Sequence, residues 1–454
     1  MILSKKSCAQ KIVIIHLFLL GFLLPIAAQA QTAFRINRII YNVQRTKISA
    51  FERYFGQLVS TEFSSKEELD EFLEDLRQRM YRSSMFRTFD VMPSFPESDD
   101  SVQNVDLSIT VKESWPAMAM FVPLYTTSQG FILGGGGIFP NVSGYLFDIN
   151  MNFSYNAEPR DHGLAWSDPV YKGGIAFSKI PLGYNLFFGI SSDVVRNSNT
   201  VRDRGREVLT YRALSSENEL SLLWRANHEW SLLNTLKYTV GFMPQIEYDA
   251  HTGEDFGVPR KHYYIQKLIV DYDGTVQGKD LMPAGLSSEM MIGYSFNKSF
   301  SDLVDNAFLF SAYVNYTWNI YDIFYPGLSA YTFYKTGQPE YNLAREMRGI
   351  IDGEWRGNGI TRLSADFLFY VGQVTGWFVV HMGPYVDYGV TYGHGQKFLK
   401  DDQGWALGLR MKVLSPLAPS VPLFLDLGFD LRDKYSWRSL SRHFELGIGS
   451  TFSI

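Results

Sequence analysis

The chain has 454 residues, with 38 glycines, 15% aromatic residues and a formal charge of -5. Because this charge is small for the length, composition excludes the strongly basic or acidic classes and predicts no nucleic-acid partner. Many aromatic residues and glycines, at a mean hydropathy near zero, are typical of numerous strands joined by turns.

The N-terminal segment has the pattern of an export signal. Three lysines come before or at the start of an apolar run over residues 12–26, and Ala28-Gln29-Ala30 supplies the small-x-small site of signal peptidase. We therefore predict that residues 1–30 are a removed signal peptide. The alternative is an uncleaved anchor, which needs roughly 18 to 20 apolar residues. Cys8 is the single cysteine, so the mature chain is expected to have no disulfide and no cysteine metal site.

Residues 34–113 change pattern from element to element. "FRINRIIYNV" predicts a strand, and "KISAFERYFG" predicts a short helix. The segment that starts at Ser64 then carries one apolar helical stripe, with Ser64 and Glu67 as a capping box. Two strands follow, of which "VQNVDLSITVKE" alternates apolar and polar residues. The predicted order is β-α-α-β-β, a small α+β domain.

This domain resembles a POTRA domain of the BamA/TamA outer-membrane assembly superfamily. The resemblance covers the whole segment, including the helix that ends in "RSSMFRTFDV" and the final strand that runs into "VKES". It implies a periplasmic module that binds client polypeptides by β-augmentation. It also implies contacts with other subunits of an assembly machinery.

Residues 115–454 show strict alternation instead of a helical period. In "FLFSAYVNYTWNI" one face is apolar and aromatic, and the opposite face is mostly polar. Such runs reach 10 or more residues, about the length that a tilted strand needs to cross a bilayer, whereas a secreted β-sandwich has shorter strands. We predict a mainly β fold, a transmembrane antiparallel β-barrel of about 16 strands, with 14 or 18 as open alternatives, in contact with outer-membrane lipid.

One long loop of this region carries arginines on glycine-rich backbone. "EMRGIIDGEWRGNG" lies between two strand patterns, and alternation in the following strands turns Asp366 and Asp387 towards the barrel lumen. A guanidinium in a partly dehydrated lumen needs a carboxylate partner, which its planar fork binds at two points. The alternative is that Arg348 and Arg356 lie in a solvated loop.

The resemblance gives this loop a specific partner. The superfamily has an Arg-Gly motif at the tip of a loop that folds into the barrel, and an aromatic-x-Asp-x-Gly motif on the strand that receives it; "MRGI" and "YVDYG" are similar to these. The residues that the resemblance assigns to this contact are Arg348, Gly349, Asp366, Asp387 and Gly389. Relatives often have Glu at the position of Asp366. Ile350 stands where relatives usually have an aromatic residue, so the packing of the loop tip is expected to differ from theirs more than the ion pair does.

The last predicted strand is "RHFELGIGSTFSI". Its final residues resemble the C-terminal signal by which barrels are recognised for insertion, with Gly449, Phe452 and Ile454 as the signal residues, although relatives commonly end on an aromatic. Four glycines, Gly134 to Gly137, lie near the start of the barrel region. If these two elements close the barrel, the seam has few side chains to pack and opens sideways; the alternative is a simple bend.

The sequence contains no motif of a hydrolase or metalloprotease. We therefore expect no enzyme activity, no cofactor and no metal site. The expected location is the bacterial outer membrane, with the POTRA-like domain in the periplasm. The expected function is insertion, assembly or translocation of proteins at that membrane, and the alternative is a passive porin-like or structural barrel.

Overall fold

The structure is a computed structural model. It describes residues 33–56, 58–82, 85–97, 102–113, 117–126, 130–160, 163–183, 185–203, 206–227, 229–248, 262–278, 280–297, 306–337, 343, 346–348, 350, 355, 357–374, 378–393, 403–415, 423–431 and 444–450. The predicted signal peptide lies outside these residues. Two compact units are present, and Val43–Gln57 and Gln78–Phe89 belong to the unit that contains the barrel.

The N-terminal elements form a four-stranded sheet with two helices. They are β1 (Ala33–Asn42), α1 (Ile48–Phe55), β2 (Glu62–Phe63), α2 (Lys66–Arg82), β3 (Phe86–Ser94) and β4 (Val102–Glu113). The sheet order is β2-β1-β4-β3, with β1 and β4 parallel and β1 and β2 antiparallel. The short strand β2 was not predicted, because two residues are too few to show alternation.

Helix α2 follows the predicted apolar stripe. Leu69, Leu73, Leu76 and Met80 are each at most 1% exposed, as their spacing of three and four residues requires. The predicted capping pair was wrong by one residue. The N–H of Glu68 donates to Ser65 Oγ at 3.2 Å, and the Glu68 carboxylate accepts from the Ser64 N–H at 2.7 Å. Two neighbouring serines made either frame compatible with the sequence.

The remaining strands form a closed barrel. Its strands are β5 (Met118–Thr126), β6 (Gly130–Phe139), β7 (Asp148–Arg160), β8 (Gly163–Gly183), β9 (Leu186–Asp203), β10 (Arg206–Arg225), β11 (Trp230–Tyr248), β12 (His262–Asp273), β13 (Val276–Gln277), β14 (Pro283–Asn297), β15 (Ala307–Thr317), β16 (Phe324–Lys335), β17 (Gly359–Val374), β18 (Phe378–Tyr392), β19 (Gln403–Leu414), β20 (Leu423–Asp430) and β21 (Phe444–Ser450). Strand β12 also pairs directly with β14. The described residues thus give sixteen strands of seven or more residues, plus the two-residue β13. The predicted fold class is confirmed.

The strands alternate as the sequence predicts. Along β15, Val314 and Tyr316 are 46% and 40% exposed on the outer surface, whereas Ser311 is buried. Apolar side chains therefore face outwards over much of the wall, the reverse of a water-soluble sandwich. No described helix is both long and apolar enough to cross a membrane.

The barrel closes between its first and last strands. Strand β5 pairs with β6 along all nine of its residues. Between described residues, it pairs with β21 at Gly447 with Thr126 and Ile448 with Tyr125. The condition of the seam hypothesis is not met, because the last strand pairs with β5 and Gly134 to Gly137 lie in β6.

Candidate functional site

Strands β17 and β18 place the predicted carboxylates on the lumen side of the wall. The pairing register sets Asp366 opposite Tyr385 and Asp387 opposite Ser364. Asp387 is fully buried, while Met382 on the outer face of the same strand is 47% exposed. Because side chains alternate along a strand, the register fixes both carboxylates on the inner face before any loop contact is made.

The Arg348 side chain binds Asp387 at two points. Its Nε donates to Asp387 Oδ2 at 2.9 Å, and its second terminal nitrogen donates to Oδ1. The Arg348 backbone N–H also donates to Oδ2, at 3.1 Å. A fork of parallel hydrogen bonds to one carboxylate is the strongest common form of ion pair in proteins. The backbone contact adds a constraint on the chain itself, so the loop is held as well as the side chain.

Asp366 and Tyr385 complete the surroundings of the guanidinium. The remaining terminal nitrogen of Arg348 donates to Asp366 Oδ1 at 2.5 Å, and the guanidinium carbon lies 3.9 Å from the centre of the Tyr385 ring. The Arg348 side chain is 13% exposed and the Asp366 side chain 24% exposed. One cation thus lies between two carboxylates and over an aromatic face, which is a favourable place for a planar cation. We call Arg348, Asp366 and Asp387 the arginine lock.

Apolar residues hold the same loop in the lumen. We call residues 343–355 of the loop between β16 and β17 the lumen loop; within this range the structure describes Leu343, Glu346, Met347, Arg348, Ile350 and Trp355. Four of them form a buried cluster with Ile360 and Ala406, and Tyr331 and Phe333 pack against it. Ile350 is 1% exposed. The loop tip therefore packs with Ile350 in place of an aromatic residue.

Gly389 is needed for this packing. A Cβ atom at this position would lie 2.6 Å from the Trp355 ring and 2.7 Å from Met347 Sδ. The described loop residues thus occupy the space that a side chain on β18 would take. Gly349, the other glycine of the predicted motifs, lies outside the described residues.

Two further arginines on the lumen face form polar contacts. Arg362 donates to the Glu346 carbonyl oxygen at 2.5 Å, a further hydrogen bond between the wall and the lumen loop. Arg410 on β19 binds both oxygens of Asp426 on β20, each at 2.7 Å. Alternation along β17 and β19 places both arginines on the lumen face, but it does not identify their partners. A lumen-facing arginine on a strand is the signal that identifies them, since a buried cation requires a partner.

The predicted C-terminal signal is only partly within the described residues. Gly449 lies in β21, opposite Phe424 of β20. Phe452 and Ile454 lie outside the described residues. Among the described residues, no group of three or more His, Cys, Asp or Glu side chains is arranged to bind a metal ion.

The site is suited to hold the lumen loop against the barrel wall. Arg348 is a permanent cation, both of its carboxylate partners are on the barrel wall, and removal of one partner from such a buried pair typically costs about 3 to 5 kcal/mol. The arrangement holds a loop segment inside the lumen. It presents no nucleophile next to a base among these residues.

Comparison with known proteins finds solved structures of similar fold. No protein-family model matches the sequence, and no curated protein matches it. Among solved structures, CdiB from Escherichia coli is similar with a TM-score of 0.65 at 12% identity, covering 92% of this chain and 76% of that one. CdiB from Acinetobacter baumannii gives 0.61 at 15% identity, covering 92% and 74%.

A third similar structure carries the resemblance that the sequence predicts. It is BamA from Haemophilus ducreyi lacking POTRA domains 1-3, with a TM-score of 0.53 at 13% identity, covering 92% of this chain and 85% of that one. At these identities the likeness is one of fold. The chain has the fold of the BamA and CdiB barrels, and the predicted resemblance is confirmed at that level.

Proposed function

We propose that this protein is an outer-membrane barrel that assists the insertion, assembly or translocation of other proteins. The observation that carries the proposal is the lumen loop, which Arg348 fastens to Asp387 inside the barrel. A passive pore needs an open lumen, whereas a machine that handles polypeptides needs a lumen that stays closed until it is used. The likeness in fold to BamA and CdiB supports the same function.

The N-terminal sheet supplies a surface for client chains in this proposal. Strand β2 pairs with β1 at Phe34 and Arg35, and the Ile36 backbone hydrogen-bonds Ser60 and Thr61. We propose that an added client strand pairs with the part of the β1 edge that follows Ile36. Extended polypeptides bind such edges through backbone hydrogen bonds. We assign this POTRA-like domain to the periplasm, where it receives clients and other assembly subunits.

The outer surface of the barrel supports the proposed location. Outward side chains such as Trp224 and Trp405 are 48% and 52% exposed, and large apolar groups are stable at such exposure when lipid covers them. We propose that the protein has no catalytic activity and that its work is done by binding and shape.

Reconstitution with a client barrel tests the function. Liposomes that contain the purified protein are expected to fold an added unfolded outer-membrane barrel several times faster than empty liposomes. Single-channel recording of the same sample should show a small, fluctuating current. A large steady conductance together with no acceleration of client folding would instead establish the passive porin.

Crosslinking in cells tests the client surface. A photo-reactive residue at Ile40, which is 42% exposed on β1, should capture polypeptides in transit. The matched control is the exposed Glu71 on α2, at which capture should be weak. Equal capture at both positions would contradict binding at the β1 edge.

A further inference from the structure

A second segment enters the lumen at the opposite end of the barrel from the long loop. We call the end where β15 meets β16 and β17 meets β18 the turn end. Here Gly278 and Asp280–Met282, between β13 and β14, fold inwards; we call these residues the latch turn. Asp280 is 8% and Met282 4% exposed. Tyr321, in the neighbouring turn between β15 and β16, is 90% exposed, so burial is not the rule for turns at this end.

A polar contact fastens the latch turn to the far wall. His381 on β18 and Asp280 share a hydrogen bond of 2.8 Å between Nε2 and Oδ2, and His381 is fully buried. The other oxygen of Asp280 accepts the Met282 N–H at 3.3 Å. Tyr325 and Tyr370 pack their ring edges against the imidazole, at 5.4 and 5.7 Å between ring centres.

Apolar contacts extend across four strands of the wall. Met282 belongs to a buried cluster with Tyr325 of β16, Leu368 of β17, Val379 of β18 and Leu414 of β19, and Leu281 packs against the same cluster. In the strand order, β15 separates β14 from β16. The latch turn therefore reaches past its neighbouring strand to contact the inner face of more distant ones.

The latch turn and the arginine lock lie at different levels of one strand. His381 and Asp387 are both on the inner face of β18, six residues apart, which is about 20 Å at the rise of a strand. The Asp280–His381 contact and the Arg348–Asp387 contact therefore share no residue.

We infer that the latch turn is a second closure of the lumen, at the turn end, held by Asp280 and His381 and independent of the lumen loop. With the proposed function, a polypeptide that enters the lumen from the turn end must displace this turn. The closure itself is a property of the barrel and is measured without any client.

Single-channel recording of four proteins tests the closure. They are the wild type, a variant in which a short Gly-Ser linker replaces residues 343–356, Asp280→Ala, and the combination of both changes. We expect loop removal alone to leave a small conductance and the combination to raise it at least threefold. If loop removal alone gives the full conductance, or Asp280→Ala adds nothing in folded protein, the latch turn does not close the lumen.

Two controls make the result specific. Asp322→Asn changes an exposed aspartate of the neighbouring turn, which accepts a hydrogen bond from Asn319 at 2.6 Å, and should leave every conductance unchanged. The exchange Asp280→His with His381→Asp should restore closure on the loop-deleted background. An equal rise with Asp322→Asn, or no restoration, would contradict the inference.

A reversible crosslink separates an effect on closure from an effect on folding, because the same folded channel is recorded before and after cleavage. In the loop-deleted barrel, Asp280→Cys and His381→Cys are joined by a short thiol reagent that reduction cleaves. Conductance should stay low while the crosslink is present and rise on reduction in the same channel. No change on reduction would overturn the closure, whereas failure of the client-folding assay would overturn only the proposed function.

Discussion

The lumen loop and the latch turn are two segments held by the same strand in different ways. Arg348 contacts two carboxylates, one aromatic ring and, through its backbone, Asp387 again. Asp280 is held to the wall through His381, with the Tyr325 ring packed against the imidazole. Arginine stays charged at any pH of interest, while histidine is charged or neutral according to its surroundings. The loop is thus fastened by a permanent ion pair, and the latch turn by a hydrogen bond between an imidazole and a carboxylate together with apolar contacts.

Breaking the arginine lock should have the largest effect. Arg348→Ala leaves the fully buried Asp387 without its cation, so we expect the free energy of unfolding to fall by about 3 to 5 kcal/mol. Asp387→Asn should cost a similar amount, and the double variant should cost clearly less than the sum. Unfolding in denaturant, in detergent micelles, measures all three. Simple additivity would show that the two residues do not interact.

The control for the lock is the other lumen ion pair. Asp426→Asn removes the partner of Arg410 without touching the lumen loop. It should lower stability but leave Trp355 protected from a soluble fluorescence quencher, whereas Arg348→Ala should expose Trp355. Equal exposure in both variants would remove the specific role of Arg348.

Truncating the apolar cluster of the lumen loop should have the next largest effect on stability. Ile350→Ala truncates a side chain that is 1% exposed, and such changes cost about 2 to 5 kcal/mol. Because the lock stays intact, Arg348 should still couple to Asp387 in the double-variant analysis. Loss of that coupling would mean that the cluster, rather than the ion pair, positions the loop. Ile350→Val, which keeps most of the volume, serves as the mild control.

Steric exclusion at Gly389 should have a smaller effect. In Gly389→Ala the new methyl group would meet Trp355 at 2.6 Å and Met347 at 2.7 Å, and overpacking of this kind costs about 1 to 3 kcal/mol. We expect raised conductance as the loop shifts, measured in single channels. Combination with Trp355→Ala should relieve the strain. Gly389→Ala with wild-type conductance and stability would show that the loop does not pack on this strand.

The smallest effect concerns a carboxylate outside the barrel wall. Burial alone would raise the pKa of Glu113, but hydrogen bonds from the Arg45 and Thr46 N–H groups hold that pKa below its ordinary 4.5. A carboxylate whose pKa is lower in the folded than in the unfolded protein stabilises the fold at pH values above its ordinary pKa. This stabilisation is lost as the pH falls through the folded-state pKa. Glu113→Gln should therefore cost on the order of 1 kcal/mol at pH 7.

The pH dependence separates this contact from the arginine lock. The difference in unfolding free energy between wild type and Glu113→Gln should shrink as the pH is lowered from 6 to 3. Denaturant titration at each pH measures this difference. Glu62→Gln is the control, because its ion pair with Arg35 is exposed, with 62% of the Glu62 side chain accessible. A difference that does not change with pH would contradict the assigned charge on Glu113.

The strand pattern and the lock residues were predictable because each depends on local sequence. Alternation places Asp366 and Asp387 on the inner face, and a buried arginine requires a carboxylate. The pairing with Arg348 needed the family resemblance as well, since composition alone is compatible with a solvated loop. The cap at Ser65 and the strand β2 were missed, because two neighbouring serines fit either capping frame and a two-residue strand shows no alternation.

The sequence by itself determined the class of protein: a small α+β domain followed by a barrel with apolar side chains outwards and charged side chains inwards. Only the tertiary structure decided which residues meet across the lumen. The approach of Met347 and Trp355 to Gly389, and of Asp280 to His381 over 101 positions of sequence, depends on strand register and barrel closure. Such long-range contacts leave no periodic trace in the sequence, because periodicity reports the face of one strand and not its partner across the barrel.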